Sequence, residues 1–216
     1  MDALALDPLP SPRTAALAVM PKGRLLSGSQ EIFALSGLGR PSFPGRSLEG
    51  RAAAGRFVLA RGRDVPLYVR SGAAELGIVG RDVLLEEGEG LRELADLGFG
   101  GCRLVLAAPA AWRLEAGGAR VASRYPSLTA RYLARRGLGA RVVPLAGAVE
   151  GAVGAGLADA IVDVCETGAT LRAHGLVVLD TVAVSSARLV AAAERPLTAR
   201  AGEVAQRLRE VAGRDA

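Results

Sequence analysis

The residues able to do chemistry gather in two short segments. The first is "DVCETGAT", Asp163 to Thr170. An apolar run ends in Asp163, and Thr167 to His174 reads as a helix. A loop joining strand to helix in an α/β sheet lies at the strand's carboxyl end, where such sheets hold ligands. Its free backbone N–H groups and the helix dipole favour an anion. Gly168 allows close approach, and Thr167 and Thr170 add hydroxyl donors. Asp163 and Glu166 work against a bare phosphate but suit sugar hydroxyls or metal-bound pyrophosphate. An ordinary strand-to-helix turn capped by Thr167 accounts for the same spacing, and the G-x-x-x-x-G-K-[ST] loop is absent.

The second segment is "MPKGRL", Met20 to Leu25. Lys22, Gly23 and Arg24 follow the first strand and open the first helix, a natural place for polyphosphate; a solvated basic turn is the other reading. Of 27 basic residues only Lys22 is lysine. Either position 22 needs a compact ammonium rather than a planar fork, or one lysine survives by chance. Glu150 is a lone acid in the Ala/Gly-rich "LAGAVEGAV". The single histidine, His174, excludes schemes needing two and reads as a helix C-terminal cap. Cys102 and Cys165 lack metal-ligand spacing and read as buried thiols.

Alternating strands and helices must position these residues. Strands are expected at 15–20, 57–60, 74–80, 102–109, 120–123, 140–145, 159–164, 176–184 and 187–193. Helices are expected after Lys22, after Asp64, over "RDVLLEEG", over "YPSLTARYLARRG", over "GAVEGAVGAGL" and at 198–212. Residues 39 to 55 read as loop. This order is the α/β signature with mainly parallel sheets. A second α/β set begins after Gly100, so two lobes are expected: 14–99 with 182–216, and 100–181. One continuous sheet is the alternative.

The 216 residues suffice for a sizeable core, and half are apolar. No apolar run nears the roughly 20 residues that span a bilayer. Residues 1 to 13, acidic at Asp2 and rich in proline, read as a disordered extension and not a signal peptide. Cytoplasmic location follows as the expectation. The net charge is +5, but the arginines are scattered without aromatic interleaving. That speaks against nucleic acid and suits small anionic ligands.

In order along the chain, "MPKGRL", "DVPLYVRSGAAELGIVGRDVL", "FGGCRLVLAAP", "RVASRYPSLTARYLARRG", "GLADAIVDVCETGATLRAHGL" and "SSARLV" resemble the ATP phosphoribosyltransferase family. The resemblance implies a two-lobed, periplasmic-binding-protein-like fold with a cleft between lobes. It implies a pentosyltransferase joining ATP to 5-phosphoribosyl 1-pyrophosphate with Mg²⁺, in the first step of histidine biosynthesis. Asp163, Glu166, Thr167, Gly168, Ala169 and Thr170 would bind phosphoribosyl pyrophosphate, with Asp163 on the ribose hydroxyls. Lys22, Gly23 and Arg24 would meet ATP phosphates or pyrophosphate, Arg46 would lie on the ATP side, and Glu150 would touch the ribose or its Mg²⁺. The magnesium is expected on pyrophosphate rather than in a protein cage. The chain looks like the family's short form, which implies a homodimer of catalytic subunits and a histidyl-tRNA synthetase-like regulatory subunit in a hetero-octamer. A two-lobed binding or sensing domain without catalysis is the alternative; a nucleotide-salvage phosphoribosyltransferase is another, although Val164 stands where its second acid is usual.

Overall fold

Two sheets, each covered by helices on both faces, arise from this alternation. The computed structural model describes residues 15–113 and 118–213; the extension expected over residues 1 to 13 lies outside the described residues. In chain order the strands are β1 (Ala16–Pro21), β2 (Glu49–Ala52), β3 (Gly55–Ala60), β4 (Ala74–Gly80), β5 (Leu91–Asp96) and β6 (Cys102–Pro109). There follow β7 (Arg120–Ser123), β8 (Arg141–Pro144), β9 (Ala160–Cys165), β10 (Leu176–Ser185) and β11 (Ala187–Ala192). The helices are α1 (Leu26–Leu35), α2 (Val65–Ser71), α3 (Arg81–Glu87), α4 (Pro126–Arg135), α5 (Gly151–Gly154), α6 (Ala169–Ala173) and α7 (Ala199–Ala212). None of the described helices is long and apolar enough to cross a membrane.

The chain divides into one unit of Met1–Gly100 with Ser186–Ala216, and a second of Gly101–Ser185. The expected boundaries lay after residues 99 and 181. The second falls later because β10 continues unbroken to Ser185. There are two sheets, not one: β2-β3-β1-β4-β11-β5 in the first unit and β10-β6-β9-β7-β8 in the second.

Neither sheet is mainly parallel, which corrects the sequence-based expectation. Parallel pairs join β1 to β3 and β4, and β7 to β8 and β9. The remaining pairs are antiparallel. Two features account for this. Within the segment expected as loop, β2 folds back on β3 as a hairpin. The second unit interrupts the first, so β6 carries the chain in and β10 carries it out, in opposite directions. β5, also unanticipated, is an edge strand with only partial burial, so its sequence lacks a strong apolar signal.

In the first unit, β1 is buried along its whole length. Alternate residues feed opposite faces. Met20, Leu76, Ile78 and Leu189 pack with Phe33 of α1 and Leu208 of α7. Val19, Val79 and Val190 pack with Val65 and Val69 of α2. Phe33 meets Phe57 edge-on at 5.0 Å; burying each such ring contributes about 1.5–3 kcal/mol. In the second unit, Val105, Ala107 and Ile161 face α5 and α6, while Leu106, Ala108 and Val162 face α4. β9 is thus covered on both sides until it ends.

Gly77 shows how closely α2 lies on β4. A Cβ there would stand 2.7 Å from Val69 Cγ2, 2.9 Å from Val65 Cγ1 and 3.1 Å from Val190 Cγ2. Gly77→Ala is expected to destabilise the protein by about 1–3 kcal/mol. Urea unfolding measures this, and a loss of under about 0.5 kcal/mol would mean α2 yields without strain.

Candidate active site

Strand register builds the site of the second unit. In the parallel pair of β7 and β9, Val121 lies opposite Ala160, Ala122 opposite Ile161 and Ser123 opposite Val162. One residue further on, Arg124, just past the end of β7, comes beside Asp163, two residues before β9 ends. The turn is locked by Ser123, which is fully buried. Its hydroxyl donates to the Val162 carbonyl at 2.8 Å and accepts from the Tyr125 N–H at 2.9 Å. Pro126 then starts α4, where a missing N–H costs nothing.

Arg124 donates through Nε (3.1 Å) and Nη2 (2.8 Å) to the same oxygen, Asp163 Oδ1. The Val164 N–H donates to that oxygen as well, at 2.8 Å. Among the described residues none donates to Oδ2, yet this oxygen is not sealed from solvent. The Arg124 guanidinium also lies 5.8 Å from the Tyr125 ring centroid. Burial pushes the Asp163 carboxyl above its ordinary value; Arg124 pulls it back only in part, and Glu150 adds to the rise.

Glu150 is half-buried and its field reaches Asp163. The helix expected over 147–157 contracts to Gly151–Gly154, with Glu150 at its N-cap. Ala148 precedes it at φ 49, the left-handed region that a side chain resists. Val149 is fully buried and anchors the turn. Arg124 is bonded to Asp163 and also lies within the field of Glu150.

The loop after Asp163 differs in detail from expectation. The helix begins at Ala169 rather than Thr167, and Gly168 is its N-cap at φ 74, a conformation glycine adopts without cost. The Thr167 hydroxyl accepts only a long bond, 3.4 Å, from the Ala169 N–H. Among the described residues none accepts from the N–H groups of Thr167, Gly168 or Thr170. Glu166, Thr167, Ala169 and Thr170 are exposed. Arg172 reaches back from α6 to the Thr167 carbonyl at 3.1 Å. Beneath the loop, Cys165 is buried in the cluster facing α5 and α6. Its sulfur lies 3.7 Å from where a Gly168 Cβ would stand, so it fills space as a small apolar group. Both cysteines are buried and unbridged, and His174 is the exposed C-cap of α6.

In the first unit, Lys22, Gly23 and Arg24 occupy the turn before α1, not its first helical turn. The Lys22 N–H donates to the Ala60 carbonyl at 2.8 Å, and the Leu26 N–H donates to the Gly23 carbonyl at 3.0 Å. Gly23 has φ 85, with open space where a Cβ would be. Among the described residues the exposed Lys22 ammonium has no hydrogen-bond or ion-pair partner. Arg24 is engaged: Nη1 donates to the Gly100 carbonyl at 2.7 Å, and Nη2 lies 4.0 Å from Asp82 Oδ1. Arg46 is exposed in a separate turn, which the Ser47 N–H closes onto the Pro44 carbonyl.

Two contributors escaped the sequence reading, Arg124 and Arg172. A cation between a strand end and a proline-started helix, "SRYP", was the available signal for Arg124. Its partner lies 39 residues away, a distance only strand pairing can close.

Among the described residues, an acid with one oxygen free of protein donors lies beside a loop in which the N–H groups of Thr167, Gly168 and Thr170 have no acceptor. The two-unit α/β fold is that of periplasmic-binding-protein-like proteins. A histidine kinase sensor domain with similarity to periplasmic binding proteins superposes with TM-score 0.57 at 13% identity, over 92% of this chain and 89% of that one. That likeness concerns the fold alone. The family model for ATP phosphoribosyltransferase matches residues 61–211. The ATP phosphoribosyltransferase of Thermus thermophilus is 45% identical over 206 residues, covering 93% of this chain and 98% of the relative. A chain of the ATP phosphoribosyl transferase (HisG:HisZ) complex from Thermotoga maritima superposes with TM-score 0.78 at 33% identity, over 92% of this chain and 98% of that one. The chain belongs to the ATP phosphoribosyltransferase family and is a pentosyltransferase.

The raised Asp163 carboxyl sets a direction for stability. Below the unfolded value, near 3.8, both states are protonated and nothing is lost. As pH rises from there through the higher folded value, the unfolded state gives up its proton first, and stability falls; above it the loss is constant. Asp163→Asn is therefore expected to keep or raise the melting temperature at pH 7 and to remove this component of the pH dependence. A drop of several degrees at pH 7 would mean that pairing with Arg124 outweighs the cost of burial.

Proposed function

We propose that this chain condenses ATP with 5-phosphoribosyl 1-pyrophosphate, adenine N1 attacking ribose C1 and pyrophosphate leaving, in the first step of histidine biosynthesis. Membership of the family supports the reaction. The observation that carries the site assignment is the juxtaposition of Asp163 with a loop in which, among the described residues, the N–H groups of Thr167, Gly168 and Thr170 have no acceptor. In this reading Thr167, Gly168, Ala169 and Thr170 receive the 5-phosphate through N–H and hydroxyl groups. Asp163 accepts from the ribose hydroxyls, and Glu150 and Glu166 bound the same pocket of charge. The protein then steadies a ribose that gains oxocarbenium character; the negative field of Asp163 and Glu150 favours that cation. No covalent nucleophile is required.

Lys22, with Gly23, would meet the phosphates of ATP or the leaving pyrophosphate as a point charge. Arg24 supports that turn through Gly100, and Arg46 is assigned to the ATP side. Among the described residues no three carboxylate, cysteine or histidine side chains form a metal cage. In this reading Mg²⁺ enters on the pyrophosphate oxygens, where it would neutralise charge on the leaving group.

We further propose a cytoplasmic enzyme of the short form, built from homodimers with a histidyl-tRNA synthetase-like regulatory subunit in a hetero-octamer. The likeness to a chain solved in a HisG:HisZ complex supports this arrangement.

Incubation with ATP, phosphoribosyl pyrophosphate and Mg²⁺, with and without the regulatory subunit, is expected to yield an adduct seen by ultraviolet absorbance. No product in either case would sink the reading. Thr170→Ala should raise KM for phosphoribosyl pyrophosphate about tenfold, the value of a hydrogen bond to a charged group, and leave KM for ATP within about twofold. Equal losses would argue against the 5-phosphate assignment. Lys22→Arg should lower kcat by about tenfold if a compact ammonium is needed; a wild-type rate would remove Lys22 from the chemistry.

A further inference from the structure

Asp163 has two carboxylate oxygens, and the protein treats them differently. Oδ1 accepts all three protein hydrogen bonds, two from Arg124 and one from the Val164 N–H. Oδ2 accepts none from the described residues and reaches solvent. Two guanidinium N–H groups and a backbone N–H converging on one oxygen hold the carboxylate in one orientation, with its other oxygen left free of protein donors among the described residues. We infer that Arg124 is a positioning residue, which locks Asp163 by Oδ1 so that Oδ2 alone faces the ribose hydroxyls.

The surroundings support this division. Arg124 is itself fixed, since Ser123 locks its backbone and Tyr125 lies under its guanidinium. Its side chain is 36% exposed and that of Asp163 11%, so the cation can be altered without emptying a core. The charged groups facing Asp163 are Arg124 after β7 and Glu150 on α5. Arg124 is thus the favourable charge that offsets, in part, the burial of Asp163 and the field of a second acid. The inference rests on the proposed ribose contact of Asp163.

The experiment compares wild type, Arg124→Gln, Arg124→Lys, Asp163→Asn and the Arg124→Gln/Asp163→Asn double variant. Arg124→Gln should raise KM for phosphoribosyl pyrophosphate about tenfold and leave KM for ATP within about twofold. The acid limb of kcat/KM should move to higher pH, because Asp163 loses its cation. Arg124→Lys should restore the acid limb but recover KM only in part, lacking the fork. In the Asp163→Asn background, Arg124→Gln should add little, since it acts through a carboxylate already gone. Additive losses, or equal rises in both KM values, would overturn the positioning role. Carbon-13 titration of the Asp163 carboxyl in the ligand-free protein gives a readout without turnover. It must titrate higher in Arg124→Gln, and an unmoved titration would likewise overturn it. An active wild type with an unaffected Arg124→Gln defeats this inference alone. A wild type that forms no adduct defeats the functional reading instead.

Discussion

The site depends on the register between β7 and β9. Three ties cross that pair with one common offset of 39 residues: Arg120 to Asp159, Ser123 to Val162 and Arg124 to Asp163. The two ion pairs stand four residues apart on each strand, two full periods of the pleat, so they rise from the same side of the pair. A slip of one residue would carry every side chain to the opposite face and separate both pairs. It would also push Ile161 and Val162 out of the clusters that bury them. The apolar core therefore enforces the register, and the register delivers Arg124 to Asp163.

The two rungs are chemically alike but behave in opposite ways. Hydrogen bonds from Arg120 hold the Asp159 carboxyl below its ordinary value at the start of the strands, where water screens the pair. Burial drives the Asp163 carboxyl upward at the other end, where the arginine reaches one oxygen and not, as Arg120 does, both. The difference lies in desolvation and in the second acid, Glu150, which Asp159 lacks. An Arg–Asp pair placed only for stability would have no reason to take on that cost. The fold accepts it near the strand ends, where the proposed ribose contact needs an oxygen free of protein donors.

Much of this was legible in sequence because it is local. The apolar run ending in Asp163 marks a strand end, and Gly168 marks a backbone that must turn. Strands β4, β6 and β7 and the helix closed by Gly72 follow from apolar patterning and glycine stops. What escaped was non-local. Glu150 looked solitary because its neighbours in sequence are alanine, valine and glycine; only folding brings Asp163 to it. Arg124 looked like one more surface arginine in a chain full of them. The antiparallel share of both sheets was hidden too, since it follows from the β2–β3 hairpin within a segment read as loop and from where the second unit is inserted.

The arginine-rich composition itself separates the roles of the cations. Arginine here is chiefly a structural fork. Arg24 takes the carbonyl of Gly100, Arg70 those of Glu87 and Glu89, Arg92 that of Ala192, and Arg120 that of Gly156. Arg172 takes that of Thr167 and Arg200 those of Ala53 and Ala54. A planar group with five donors finds such acceptors readily and is then held by them. Lysine offers a compact charge on a flexible stem and is less easily captured. At position 22, beside an open glycine, an arginine would reach for the same kinds of carbonyl that hold Arg24. A lysine leaves its charge uncommitted to the described fold, which is the property the proposed phosphate contact calls for.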